Sequence, residues 1–199
     1  MRWTRWTTLA ASLGAVAVAA FTLSCATAKP PAPAPMTQAQ KLERGEYLTT
    51  IAGCNDCHTP GTFYGAPDFE RKLSGSELGW VGPWGTSYAR NLTPDPETGL
   101  GKWSEDDIVK TIRTGQRADG TPVLPPMPWQ MFSRFSDEDA YAVAAYLKSL
   151  PPVNHKVPDK RPPGTKAQKN DWVLPQPSAW DAPKSPPGGA AAESTQASH

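Results

Sequence analysis

Cysteine and histidine are scarce in this chain, three of each among 199 residues. Three cysteines cannot supply the paired bridges of a disulfide-built fold. A zinc site asks for a second C-x-x-C or a histidine pair beside the first; outside Cys54 and Cys57 the chain has only Cys25. Charge of one sign is lacking too. The formal net charge is +1, which gives no basic field for nucleic acid. Large aliphatic residues are sparse, and no internal repeat is apparent. The apolar run Leu9 to Leu23 is shorter than the roughly 20 residues a membrane-spanning helix needs.

What the chain does have is strongly sectioned. Residues 1–28 read as a secretory signal: Arg2 and Arg5 lead the apolar run, and Ala26-Thr27-Ala28 matches an A-x-A cleavage site. A second reading of the same stretch is open. Thr22-Leu23-Ser24-Cys25 resembles a permissive lipoprotein box, with lipidation at Cys25. Residues 29–36 form a Pro-rich linker, an extended spacer suited to a tether. Residues 37–152 read as one small domain. They are mildly acidic, with 11 basic and 15 acidic side chains between 37 and 150. Residues 153–199 read as a Pro-rich extended or disordered tail, in which Trp172-Val173-Leu174 and Trp180 are candidates to dock.

The chemistry concentrates in Cys54-Asn55-Asp56-Cys57-His58. C-x-x-C-H is the attachment pattern of a c-type haem. Two thiols two residues apart can each add to a vinyl group of one haem, giving two thioethers. The next residue then lies under the porphyrin, where an imidazole nitrogen can bind the iron. A thioredoxin-like redox pair would instead want a βαβ context and no trailing histidine. There is one such motif, so one covalent haem c is expected. Export fits, because bacterial c-type haems are attached outside the cytoplasm.

Helical periods flank the motif. Thr37 is an N-cap with Gln40 three residues on, and Ala39, Leu42, Leu48 and Ile51 follow near helical spacing over 37–52. Gly45 is out of place by propensity; it marks a close crossing with another helix. The partner starts at Ser136, with acids at 137, 138 and 139. It carries an apolar stripe through Ala140, Val143, Ala144 and Leu147, and Pro151-Pro152 stop it. Small residues at 142, 144 and 145 would admit Gly45. Ser104 caps a third helix, which Gly115 closes. Residues 59–103 show no strong period and read as a long loop wrapped on the haem edge, where Trp80, Trp84 and Trp129 are candidates to line it.

A haem iron with one histidine needs a ligand on its other face. Met127 stands in Pro125-Pro126-Met127-Pro128-Trp129, where the prolines fix the backbone and remove competing amide donors. A thioether stabilises reduced iron and raises the potential. Met131 is the runner-up ligand and His155 a weaker alternative.

These features together resemble class I c-type cytochromes. They are closer still to the bacterial mono- and dihaem cytochromes that include haem subunits of alcohol and gluconate dehydrogenases. The stretches that carry the likeness are Ile51 to Thr59, Ala89 to Pro94 and Thr121 to Pro128. The resemblance implies an all-α cytochrome c fold, three or more helices and long loops around one haem. It implies Cys54 and Cys57 as thioether sites, His58 as proximal ligand and Met127 as distal ligand. It also implies propionate contacts from the middle loop, for which Tyr88, Arg90, Asn91 and Trp103 have suitable donors. Those dehydrogenase subunits carry several haems and lack this tail, and both are departures.

The function expected is electron transfer, not catalysis. The chain would pass electrons between a periplasmic or membrane dehydrogenase and a respiratory acceptor. Its partners would be redox proteins: a dehydrogenase, an oxidase or another cytochrome. The alternative is a haem enzyme or a gas or redox sensor in which the distal Met is displaced. The expected location is the bacterial periplasm, free or anchored through lipid at Cys25. With so few large aliphatics, the haem must supply much of the apolar core. Haem-free protein is therefore expected to show no cooperative thermal transition by circular dichroism; a cooperative melt would contradict this.

Overall fold

The computed structural model describes residues 34–174. Residues 1–28, read above as a signal, with Cys25 among them, and Trp180 lie outside them. Among the described residues there are five α-helices: α1 Gln38–Ile51, α2 Cys54–His58, α3 Glu105–Thr114, α4 Trp129–Phe132 and α5 Asp137–Ser149. None of them is long and apolar enough to cross a membrane.

The long helices begin where the side chains can satisfy the first free amides. Thr37 Oγ1 accepts from Gln40 N, and Gln40 Oε1 accepts from Thr37 N at 2.9 Å. Ser104 and Asp107 repeat this reciprocal pair at α3. Ser136 Oγ accepts from Asp139 N at 3.0 Å to start α5. Acids fill the first turns of α3 and α5, where the positive end of the helix dipole favours them. Gly115, at φ 67°, closes α3 in the left-handed conformation.

α1 and α5 cross at Gly45. A Cβ there would overlap the Ala142 carbonyl oxygen and come within 2.6 Å of Tyr146 Cβ. The seam is lined by small residues; Ala140, Ala142 and Ala144 are all fully buried. The main core joins Leu48 of α1, Ile108 and Val109 of α3, and Val143 and Leu147 of α5 to Leu73 and Leu100 of the loops. Lys148 Nζ reaches back from α5 to donate to the carbonyls of Leu100, Gly101 and Trp103 at 3.0, 3.0 and 2.8 Å. That fixes the turn leading into α3.

Residues 59–103 depart from the expected loop, and the fold is not purely α. Two 3-10 turns, Thr62–Tyr64 and Phe69–Arg71, precede a hairpin of β1 Gly79–Gly82 and β2 Gly85–Tyr88. A third strand, β3 Asp171–Val173, pairs parallel with β1, giving the order β2-β1-β3. The hairpin escapes a sequence reading because each strand has four residues, carries glycine, and shows no alternation of apolar and polar side chains. β3 escapes because its partner lies some ninety residues away in the chain.

The segment after α5 stays extended but is fastened down. Val157 is buried, and Arg161 exchanges main-chain hydrogen bonds with Thr86 at 2.9 and 3.0 Å. Arg161 also pairs with Asp171. Trp172 stacks on Trp80 at 5.1 Å, with Phe63 edge-on to both. Trp80 therefore packs against the tail strand, in an aromatic cluster on the sheet.

Gly45→Ala is expected to destabilise the folded haem protein by about 3 kcal/mol, the upper range for overpacking a filled core, because the obstruction is a backbone carbonyl. Denaturant unfolding measures it, and an unchanged midpoint would show that the helices separate freely.

Candidate haem site

The attachment motif is a helix of its own. Gly53, at φ 70°, turns the chain out of α1 into α2, a left-handed position that a residue with a Cβ would occupy only under strain. Cys54 and Cys57 are three residues apart on α2, so both thiols project from neighbouring positions on one face. Both are free. Burial pushes the Cys54 thiol up to about 11, and Cys57 is also raised by burial. A reactive redox pair needs the opposite, a lowered thiol. Both side chains are partly buried, and Cys54 packs against the core.

His58 is buried at 8% exposure and held at two points. Its carbonyl accepts from Gly75 N at 2.7 Å. Its ring Nδ1 lies 2.6 Å from the Arg90 carbonyl oxygen. A carbonyl only accepts, so Nδ1 carries the hydrogen and Nε2 keeps its lone pair. Burial lowers the pKa of the ring, with the Arg90 hydrogen bond opposing. A neutral imidazole, oriented through one nitrogen and basic at the other, is the form a metal requires.

Met127 is half-buried in a loop held from two sides. Val123 N donates to Gly115 O at 2.7 Å, and Ser87 Oγ donates to the Pro125 carbonyl. The Trp129 ring lies flat against Gly115, where any Cβ would meet it at 2.5 Å. Met131 is 70% exposed on α4. His155 uses both ring nitrogens on the protein, Nδ1 at Ser74 O at 2.9 Å and Nε2 at Glu77 Oε1 at 2.7 Å, so it has none to offer iron.

The four expected propionate donors separate. Asn91 is fully buried and its side chain is spent. It donates to Thr98 Oγ1 and to Val153 O, and accepts from Thr93 N and Thr93 Oγ1. Both of its amide hydrogens thus have acceptors within the protein. Tyr88 sits under the Arg161 guanidinium at 6.0 Å, beside the tail strand. Arg90 and Trp103 instead share a neighbour that the sequence reading did not assign to a propionate, Arg117. Its guanidinium lies over the Trp103 ring at 5.9 Å. Its buried Nε has no hydrogen-bond partner among the described residues. Burial, and after it the charge of Arg117, push the Arg90 guanidinium below its usual range. Each guanidinium also has a carboxylate at the edge of contact, Asp119 at 4.0 Å from Arg117 Nε and Asp159 at 4.0 Å from Arg90 Nη1. Nothing periodic surrounds Arg117 in Gly115-Gln116-Arg117-Ala118-Asp119-Gly120, so the one signal for it was its position in the turn after α3.

These residues fit a haem c. Paired thiols precede an imidazole whose Nε2 is free, and the unpartnered Arg117 Nε beside Trp103 is a donor that suits a carboxylate. Among the described residues no group of three or more His, Cys, Asp and Glu side chains is placed to hold a bare metal ion.

Comparison with known proteins agrees. The chain is 39% identical over 121 residues to the alcohol dehydrogenase (quinone) cytochrome c subunit of Gluconobacter oxydans (strain 621H), covering 59% of this chain and 24% of that one. It is 37% identical over 106 residues to the gluconate 2-dehydrogenase cytochrome c subunit of Pantoea cypripedii, covering 53% and 22%. It is 30% identical over 116 residues to a diheme cytochrome c-type protein of Cereibacter sphaeroides, covering 56% and 37%. The chain thus spans less than two fifths of the length of these relatives. The family profile for cytochrome c matches residues 42–151, over half of the sequence, and the chain belongs to the cytochrome c family.

Proposed function

We propose that this protein is an electron carrier holding one haem c between His58 and Met127. It would pass single electrons from a periplasmic or membrane-bound dehydrogenase toward a respiratory acceptor. The observation that carries the reading is the His58 ring, whose Nδ1 hydrogen is given to the Arg90 carbonyl at 2.6 Å. The haem supplies a ferric/ferrous couple when bound. Each remaining task belongs to a residue of the chain. Cys54 and Cys57 tether the porphyrin; His58 donates from Nε2, and the Arg90 carbonyl raises that nitrogen's basicity. Met127 gives a soft sulfur that favours the reduced state. Arg90 and Arg117 neutralise propionates, with Trp103 beside them. If His58 and Met127 both bound the iron, they would leave no coordination site open to a substrate.

Two of the relatives described above are cytochrome subunits of dehydrogenases, which supports a dehydrogenase as the electron donor here. A mildly acidic domain suits transient docking on a partner of neutral or basic surface.

Met127→Ala is expected to abolish the Met–iron charge-transfer absorption of the oxidised protein and to lower the midpoint potential. An unaltered spectrum would remove Met127 as ligand, and rapid carbon monoxide binding by the reduced wild type would favour a sensor or enzyme instead. Arg117→Gln is expected to lower the midpoint as well, because an uncompensated propionate stabilises ferric iron. Potentiometric titration checks this; an unchanged midpoint would place the propionates elsewhere.

A further inference from the structure

The segment that follows α5 lies directly behind the two backbone runs that hold His58. One run carries Gly75, the donor to the His58 carbonyl; the other carries Arg90, the acceptor for its ring. The two runs are joined to each other, Ser76 N to Ala89 O at 3.0 Å and Leu92 N to Leu73 O at 2.8 Å. Residues 153–158 then close over both. Asn91 Nδ2 donates to Val153 O at 2.7 Å, and Val153 N donates to Thr93 Oγ1 at 3.1 Å. His155 N donates to Thr98 Oγ1 at 3.1 Å. The Arg90 guanidinium donates to Pro158 O at 3.1 Å. Val157, 4% exposed, presses on Gly75, where a Cβ would come within 2.6 Å of Val157 Cγ1.

We propose that Val153–Pro158 is a clamp on the proximal side of the haem, with Asn91 and Val157 as positioning residues for His58. Neither hydrogen-bonds to the ring, whose partner is the Arg90 carbonyl. Asn91 is the residue next to the carbonyl that the ring uses, and it ties that stretch to the clamp. Val157 backs the stretch that holds the His58 main chain. A carbonyl in an untied loop divides its time between the imidazole and water; a clamped one stays with the imidazole. The strength of that hydrogen bond sets how basic Nε2 is, and so how well the axial nitrogen stabilises ferric iron. The segment that looks like a trailing linker in sequence thereby takes part in setting the redox poise. The proposal rests on the reading of His58 as the iron ligand.

The experiment uses full-length haem-loaded protein in three variants, Asn91→Ala, Val157→Ala and Trp172→Ala. The last alters the same tail at β3, away from the His58 runs. Two quantities are read on each: solvent exchange of the His58 ring N–H by NMR of the reduced, 15N-histidine-labelled protein, and the midpoint potential. The clamp predicts roughly five- to tenfold faster exchange for the first two variants, the effect of one lost hydrogen bond's local stability. It predicts an upward shift of their midpoint, with Trp172→Ala unchanged in both. If Asn91→Ala yields no folded haem protein, Val157→Ala decides alone. Unchanged exchange and midpoint in the first two variants would overturn the clamp and leave the electron-carrier reading standing. An equal shift in all three would also overturn it, because general loosening then explains the effect. A wild type without a His/Met low-spin spectrum would remove the ligand reading, and the clamp with it.

Discussion

A buried imidazole that gives its Nδ1 hydrogen to a main-chain oxygen has one nitrogen left, and that nitrogen can only accept. This constraint fixes the tautomer of His58, the direction its ring faces and the chemistry open to it. The rest of the fold is arranged to keep it true. α2 is short because it needs only to present two thiols and then this ring. The loop runs around residues 75 and 90 are knitted together because they deliver a donor to the main chain of His58 and an acceptor to its side chain. The helices supply the frame against which α2 is set.

The frame economises on bulk. The α1–α5 seam is made of glycine and alanine, which bring two backbones close without filling much volume. Each buried alanine contributes little transfer energy compared with a leucine. Lys41–Glu105 and Arg44–Asp139 link helices and Lys72–Glu46 ties a loop to α1; all sit near the surface, where such pairs add little stability. A domain of this size with so modest an interior gains from a large apolar group set in its middle, and a porphyrin is such a group.

Much of this was legible in the residues, and the limits are physical. Caps are local chemistry, so Thr37 with Gln40 and Ser104 with Asp107 announced their helices. Gly45 announced a crossing because a glycine is costly inside a helix unless something needs the space. The attachment motif needed no structure at all. What failed to show was whatever depends on distant chain. β1 and β2 carry no alternation, and β3 is defined only by its remote partner. Asn91 was read as a propionate donor; in the fold its amide hydrogens go to Thr98 Oγ1 and the Val153 carbonyl. Arg117 has no sequence signature, since a lone arginine in a turn is usually solvated. Only the folded arrangement sets its guanidinium over the Trp103 indole.

The sheet has a consequence for the order in which the molecule is completed. β1 pairs with β2 across a two-residue turn but with β3 across some ninety residues, and contacts so far apart along the chain are slow to close. In chain order the two thiols and the histidine of α2 come well before the residues that back the Arg90 carbonyl and before β3. The attachment motif is therefore present in the growing chain long before the contacts that complete the sheet.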